Sequence, residues 1–146
     1  MDGLELHQDA IVFDGLIVSN WSRDVFEDMR RGGITAANCT CSVWEGFRDT
    51  MVNIGQWWFR EHDDLILKAL TTADIRAAKE QKKTAVVLGF QNTFAFEDRL
   101  EFVEIFKSAG VGVAQITYNT QNLAGSGCYE STDSGLSDFG HELVAE

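Results

Sequence analysis

Thr84-Ala85-Val86-Val87-Leu88-Gly89-Phe90 is a nearly unbroken apolar run that stops at Gln91-Asn92. Seven residues without polar alternation describe a strand buried on both faces, the condition of a strand inside a parallel sheet. Residues 98–109 then place Leu100, Val103, Ile105 and Phe106 among Arg99, Glu101, Glu104 and Lys107, which predicts an amphipathic helix over that sheet. Gly110 closes the helix and residues 111–116 form a second apolar run. Its polar ending is Thr117-Tyr118-Asn119-Thr120-Gln121-Asn122. Strand, helix and strand in this order make a βαβ unit. In parallel α/β folds ligands bind just past the carboxyl ends of the strands. Gln91 and Tyr118 are therefore candidate pocket residues, with Asn119 and Asn122 continuing the wall. All four are neutral hydrogen-bonding groups, better suited to orienting a ligand than to acting as a general base.

Working toward the amino terminus, Thr72 can cap a helix over residues 73–81. Phe47, Met51, Ile54 and Trp58 recur at spacings of four, three and four, one stripe of a long amphipathic helix running to about residue 61. Trp44 and Trp57 enlarge that stripe and read as core. Residues 34–38 form a short strand that runs into Cys39-Thr40-Cys41-Ser42. Ser22 caps a helix to residue 31, with Val25, Phe26 and Met29 inward and Gly32 as its stop. A first strand opens at residues 11–13 and stays apolar beyond Asp14-Gly15, through Leu16-Ile17-Val18. Residues 4–10 read as a short leading helix or arm. Toward the carboxyl end, residues 119–135 form a long loop rich in Gly, Ser and Asn, long enough to be functional. Ser137 or Asp138 caps a last helix with Phe139, Leu143 and Val144 on one face, and Glu146 arrives inside it without a C-terminal cap.

Composition narrows the function. At 146 residues and 45% hydrophobic content the chain can bury the core of one domain. A formal net charge of −11 argues against nucleic acid or an anionic membrane surface as partner. No apolar run approaches the roughly 20 residues of a membrane span, and the first residues lack the pattern of a signal peptide, so the expected location is cytoplasmic. Three cysteines without an export signal read as reduced thiols, Cys39 and Cys41 sharing one strand face as small buried hydrophobes. The three histidines, His7, His62 and His141, lack ligand spacing and read as surface or packing residues.

Four strands alternating with helices predict an α/β fold with a parallel, right-handed sheet. A four-stranded open sheet satisfies that pattern. So does half of a (β/α)8 barrel, a fold of roughly 250 residues, and the uncapped ending favours the half barrel. Five landmarks then resemble, in order and spacing, those of the membrane (renal) dipeptidase family of metallopeptidases. They are Phe13-Asp14-Gly15, Gly32-Gly33-Ile34-Thr35-Ala36-Ala37-Asn38, Leu88-Gly89-Phe90-Gln91-Asn92, Ala109-Gly110-Val111, and Gly135-Leu136-Ser137-Asp138-Phe139-Gly140-His141-Glu142-Leu143-Val144.

The resemblance implies a (β/α)8 barrel of the TIM type, of which residues 1–146 supply about the first four βα units. It also implies two zinc ions bridged by a glutamate, and hydrolysis of dipeptides. Carried over residue by residue, it places the first-strand metal ligands, a histidine and an aspartate, on Leu16 and Val18. The bridging glutamate falls on Gln91, and the histidine facing the substrate carbonyl falls on Tyr118. The remaining histidine ligands belong to later strands. The resemblance thus implies a metallo-dipeptidase, whereas the residues at the ligand positions imply no metal bound by this chain alone. The alternative is a repurposed barrel that binds a small dipeptide or amino-acid-like ligand. Two open sheet edges would then be covered by a matching C-terminal half or by homo-oligomerisation.

Overall fold

A computed structural model of the chain describes residues 2–57 and 59–146. Trp58, the last member of the predicted stripe, lies outside the described residues. The chain forms two compact units, Met1–Cys39 with Trp57–Leu88, and Thr40–Gln56 with Gly89–Glu146. No helix of the described residues is long and apolar enough to cross a membrane.

The first unit opens with α1 (Gly3–Asp9), started by a reciprocal capping box between Asp2 and Glu5. Strand β1 (Phe13–Ile17) leads to α2 (Arg23–Arg31), where the Ser22 hydroxyl accepts the Val25 N–H and Phe26 and Met29 are buried. Strand β2 (Ala36–Ser42) lies parallel to β1, pairing Phe13 with Ala36 and Asp14 with Ala37. Ile17 pairs with Cys39, so three residues of β1 advance against two of β2. That slip is a bulge at Gly15-Leu16, and the Asn38 side chain donates to the Gly15 carbonyl at 3.0 Å to hold it. Strand β3 (Ile66–Lys68), helix α4 (Thr72–Gln81) and strand β4 (Thr84–Phe90) follow, with β3 parallel to residues 84–86. The strand order is β1-β2-β4-β3. Ala36, Ala69, Ala78 and Ala85 form a small-residue core against Leu67, Ile75 and Val87, which lets α4 lie close on the strands. A second cluster sets Trp57 tilted against Trp21 at 4.6 Å, with Phe26 6.1 Å from Trp57.

The second unit takes the last residues of β2 and β4 and adds α3 (Phe47–Gly55), α5 (Glu101–Ala109), β5 (Val111–Ala114) and α6 (Asp138–Ala145). Strand β5 pairs with β4, and the Gln115 N–H donates to the Phe90 carbonyl at 2.9 Å. Its core is phenylalanine. Phe90 and Phe106 meet edge to face at 4.8 Å and are fully buried, Phe96 joins Phe106 at 5.6 Å, and Phe47 packs on Phe102 at 4.1 Å. Each such ring is worth roughly 1.5–3 kcal/mol of apolar burial.

The structure departs from the sequence expectations in five places. A three-residue strand, β3, lies where no strand was expected. Helix α3 stops at Gly55 instead of running to residue 61, because glycine weakens a helix end and the chain then turns at residues 56–57 and 59–65. Trp57 is core as expected, but Trp44 is 48% exposed. Strand β2 extends to Ser42 with every residue buried, so its polar residues are not a strand ending. Two of them find partners outside the strand instead: Thr50 Oγ1 of α3 donates to Ser42 Oγ at 3.0 Å, and the Cys41 thiol donates to the Gly89 carbonyl. Finally, a 3-10 turn at Thr93–Phe96 precedes α5, which starts three residues later than the spacing predicts.

Candidate functional site

Gln91, Tyr118, Asn119 and Asn122 all fall in the second unit, past the ends of β4 and β5. Gln91 continues the ladder, its N–H donating to the Ser42 carbonyl at 2.9 Å, while its half-buried carboxamide has no partner among the described residues. Tyr118 is also half-buried. Its ring lies 5.7 Å from that of Trp44, its carbonyl accepts the Cys128 N–H at 3.0 Å, and its hydroxyl has no partner among the described residues. Asn119 accepts the Tyr129 N–H on its carbonyl and the Cys128 thiol on Oδ1 at 3.7 Å.

Asn122 is built differently. Its Nδ2 donates to Asn92 Oδ1 at 2.7 Å, Thr93 Oγ1 at 3.0 Å and the Ile116 carbonyl at 2.9 Å, while its Oδ1 accepts the Ala124 and Gly125 N–H groups. Two N–H bonds serve three acceptors, so one is shared. The amide is thus engaged in fixing the loop. Asn92 is its fully buried counterpart, Oδ1 also accepting the Thr93 N–H at 2.9 Å, and its Nδ2 is a buried donor without a partner among the described residues. Reversing the Asn92 amide would sacrifice both bonds to Oδ1, so the orphan is the nitrogen. Sequence reasoning missed Asn92 and Thr93 as site residues. The available signal was an Asn-Thr pair directly at a strand end, the pattern of an N-cap, and Asn92 does cap the 3-10 turn.

A cavity of about 800 Å³ opens beside this network, with Phe94, Leu123 and Phe139 as apolar walls and Glu97, Asp98 and Asn122 as polar ones. Of the four sequence candidates only Asn122 lines it. Glu97 holds a positive φ of 53° and accepts the Phe47 N–H at 3.0 Å, closing the start of α3, whose own N-cap residue, Gly46, has no side chain to do so. Past β2, the Glu45 carboxylate accepts the Val43 and Trp44 N–H groups at 2.7 and 3.0 Å. Burial pushes its pKa up, but these backbone bonds and the Ser42 hydroxyl together hold it below the usual glutamate value.

The positions that resemble the family's first-strand ligands lie in the first unit. Leu16 is half-buried in the β1 bulge, where its N–H donates to Asp14 Oδ1 at 3.0 Å, and Val18 is 61% exposed. Neither side chain carries a lone pair for a cation, and the Gln91 amide lacks the charge of a bridging carboxylate. His7 bonds the Gly32 carbonyl at 2.9 Å, and His62 sits edge-on to Phe26. Among the described residues no group of three His, Cys, Asp or Glu side chains could hold a metal ion. The residues present do not fit a two-zinc centre.

Comparison with known proteins gives this geometry its context. The family model for membrane dipeptidase, peptidase family M19, matches residues 26–146. A crystal structure of an amidohydrolase from Pseudomonas aeruginosa is 57% identical, covers 99% of this chain and superposes with a TM-score of 0.95. The probable dipeptidase PvdM from the same organism shares 17% identity over 97% of the chain, with a TM-score of 0.82. A metallopeptidase from Rhodobacter sphaeroides, liganded with a phosphinate mimic of the dipeptide L-Ala-D-Ala, shares 16% over 93%, with a TM-score of 0.80. The last two likenesses show the fold alone. This chain spans 45%, 45% and 55% of those three chains respectively. No curated protein matches. Its parallel sheet with alternating helices is that of the dipeptidase barrels, and with more than four-fifths of its length inside the family model, the chain belongs to the membrane dipeptidase family, peptidase family M19.

Proposed function

We propose that this chain supplies the first part of a barrel with dipeptidase-like function, and that its strand ends hold a small peptide-like substrate through neutral hydrogen-bonding groups. The observation that carries this reading is the division of labour past β4 and β5. Asn92 and Asn122 are engaged in structure, whereas the Gln91 carboxamide and the Tyr118 hydroxyl have no partner among the described residues. Both can donate and accept, which matches the amide and carboxylate of a dipeptide. Asn119 extends the wall, and Asn122 positions rather than binds.

Hydrolysis of an amide bond is supported by the family and by the likeness to the Pseudomonas aeruginosa amidohydrolase. Where a barrel of this family held zinc, the metal would activate water and polarise the amide carbonyl. The groups at Leu16, Val18 and Gln91 are not ligands for it, so any catalytic metal would rest on residues outside this chain. A second reading follows from the same three positions: a barrel that binds an amino-acid-like ligand without hydrolysing it.

Calorimetric titration with L-Ala-D-Ala, with and without chelator, tests the proposal. Binding indifferent to chelator and weakened roughly tenfold by Gln91→Ala, the loss of one or two hydrogen bonds, is the expected result. Binding that needs added metal, or that ignores Gln91→Ala, overturns it. Turnover of the same dipeptide separates the hydrolytic reading from the binding-only one.

A further inference from the structure

A second cavity, of about 340 Å³, lies wholly within the first unit, near the start of β2 rather than past the strand ends. Arg30, Lys79, Lys82 and Lys83 line it, four of the 12 cationic side chains in a protein of net charge −11. No carboxylate lines it among the described residues. The chain has 23 acidic residues with which to pair, yet Arg30, Lys82 and Lys83 have no carboxylate partner among the described residues. Lys79 is fixed, its ammonium donating to the Gln8 and Ala10 carbonyls at 2.6 Å each.

The bland account is that these cations neutralise the carboxyl ends of α2 and α4, which stop at Arg31 and Gln81. Its magnitude is insufficient. Each helix end carries roughly half a negative charge, so the three cations without carboxylate partners exceed the two helix ends by about two positive charges. Like charges gathered in one concavity without counter-charge repel, and an anion relieves that. Thr35 adds a hydroxyl whose oxygen accepts the Val12 N–H at 3.1 Å and whose hydrogen remains to donate.

We propose that the cleft lined by Arg30, Lys79, Lys82 and Lys83 is a binding site for a phosphate group, free or carried by a small molecule. The excess charge matches a dianion, the donors are those of oxyanion recognition, and the cavity has room for a phosphate and a small organic moiety attached to it. The site is independent of the strand-end pocket.

The test is calorimetric titration of the protein at low ionic strength with inorganic phosphate and, separately, with glycerol 3-phosphate. Saturable 1:1 binding of either is expected, the two arms showing whether the ion alone or a monoester is taken. Lys82→Asn with Lys83→Gln should weaken it at least tenfold, on the scale of losing charge-assisted bonds. Asparagine is chosen because Lys82 has a left-handed φ of 56°, which Asn tolerates. Lys107→Gln, on α5 of the other unit, should leave binding unchanged. Arg30→Gln is the second variant should the double one fail to fold. Absence of saturable binding, unchanged affinity in the cleft variants, or an equal loss with Lys107→Gln overturns the proposal.

Discussion

The ends of β1 and β4 are both places where the family resemblance implies polar side chains, and this chain treats them in opposite ways. At the end of β1 it offers Leu16, Ile17 and Val18, with Val18 61% exposed and the Leu16 N–H donating to Asp14 Oδ1. Past β4 it offers Gln91, Asn92 and Thr93, of which Asn92 is fully buried and tied through Asn122 to a loop 30 residues away. A strand end stripped of polar side chains keeps only its ladder pairing and the Asn38 bond to the Gly15 carbonyl. One rebuilt from amides becomes a structural hub, and what remains free beside the hub is available to a ligand.

The strongest way to break this contrast is at the far side of the β4 hub. Gly140, in the first turn of α6, packs so closely on the loop that a Cβ would run into the Ala124 carbonyl oxygen. Backbone cannot yield as a side-chain tip can, so Gly140→Ala is expected to cost about 3 kcal/mol or more in urea unfolding. A loss below about 1 kcal/mol would mean that the loop is not held against α6. Asn122→Ala comes next. It leaves the buried Ala124 and Gly125 N–H groups without their acceptor, while Asn92 Oδ1 and the Ile116 carbonyl keep other donors, Thr93 N–H and Thr93 Oγ1. Two orphaned donors predict about 2–3 kcal/mol by the same measurement. Asn122→Asp is the control: it keeps the acceptor oxygen, so recovery of part of that loss identifies the accepting half of the amide.

A smaller effect sharpens the comparison through Glu45, past the end of β2. Its pKa is held below the usual glutamate value, so its stabilisation is fully present above the unfolded value of about 4.3 and is lost as pH falls through the lower folded value. Melting temperature against pH should therefore decline more steeply in wild type than in Glu45→Gln below about pH 4.5, with the variant already less stable at pH 7. Parallel curves down to about pH 3 would show that its bonds to Val43 and Trp44 add nothing.

How much of this was legible in the sequence depended on whether the signal was local. The run Thr84–Phe90 is a strand over its whole length, Ser22 caps α2, and Gly110 closes α5 with a φ of 94°, because apolar continuity, a capping hydroxyl and a positive φ are properties of single segments. Strand β3 was invisible because Ile66-Leu67-Lys68 has no strand pattern of its own. Its pairing with Thr84, Ala85 and Val86 makes it a strand. The polar residues of β2 misled for the opposite reason, since buried partners such as Thr50 for Ser42 cannot be seen from the strand itself. Strand β5 stops at Ala114, four residues before Tyr118, whereas Gln91, directly after β4, was readable as a strand ending. Asn92 was not, because its importance is a contact with Asn122.

The smallest predicted effect is at the end of β1. Val18→Asp places there the carboxylate that the family resemblance implies, on a side chain 61% exposed and past the last residue of the strand. Solvation of the new charge costs nothing where water already reaches, so stability should stay within about 0.5 kcal/mol of wild type. It should also gain no zinc affinity, because a single carboxylate is not a site and Leu16 beside it still offers no ligand atom. Both halves can be read from one sample, by urea unfolding with and without added zinc. A loss above about 1.5 kcal/mol would mean that Val18 is held as firmly as Asn92, and the contrast between the two strand ends would fail. Zinc-dependent stabilisation of the variant would instead mean that other ligands already wait there, and that the β1 end has lost one ligand rather than its site.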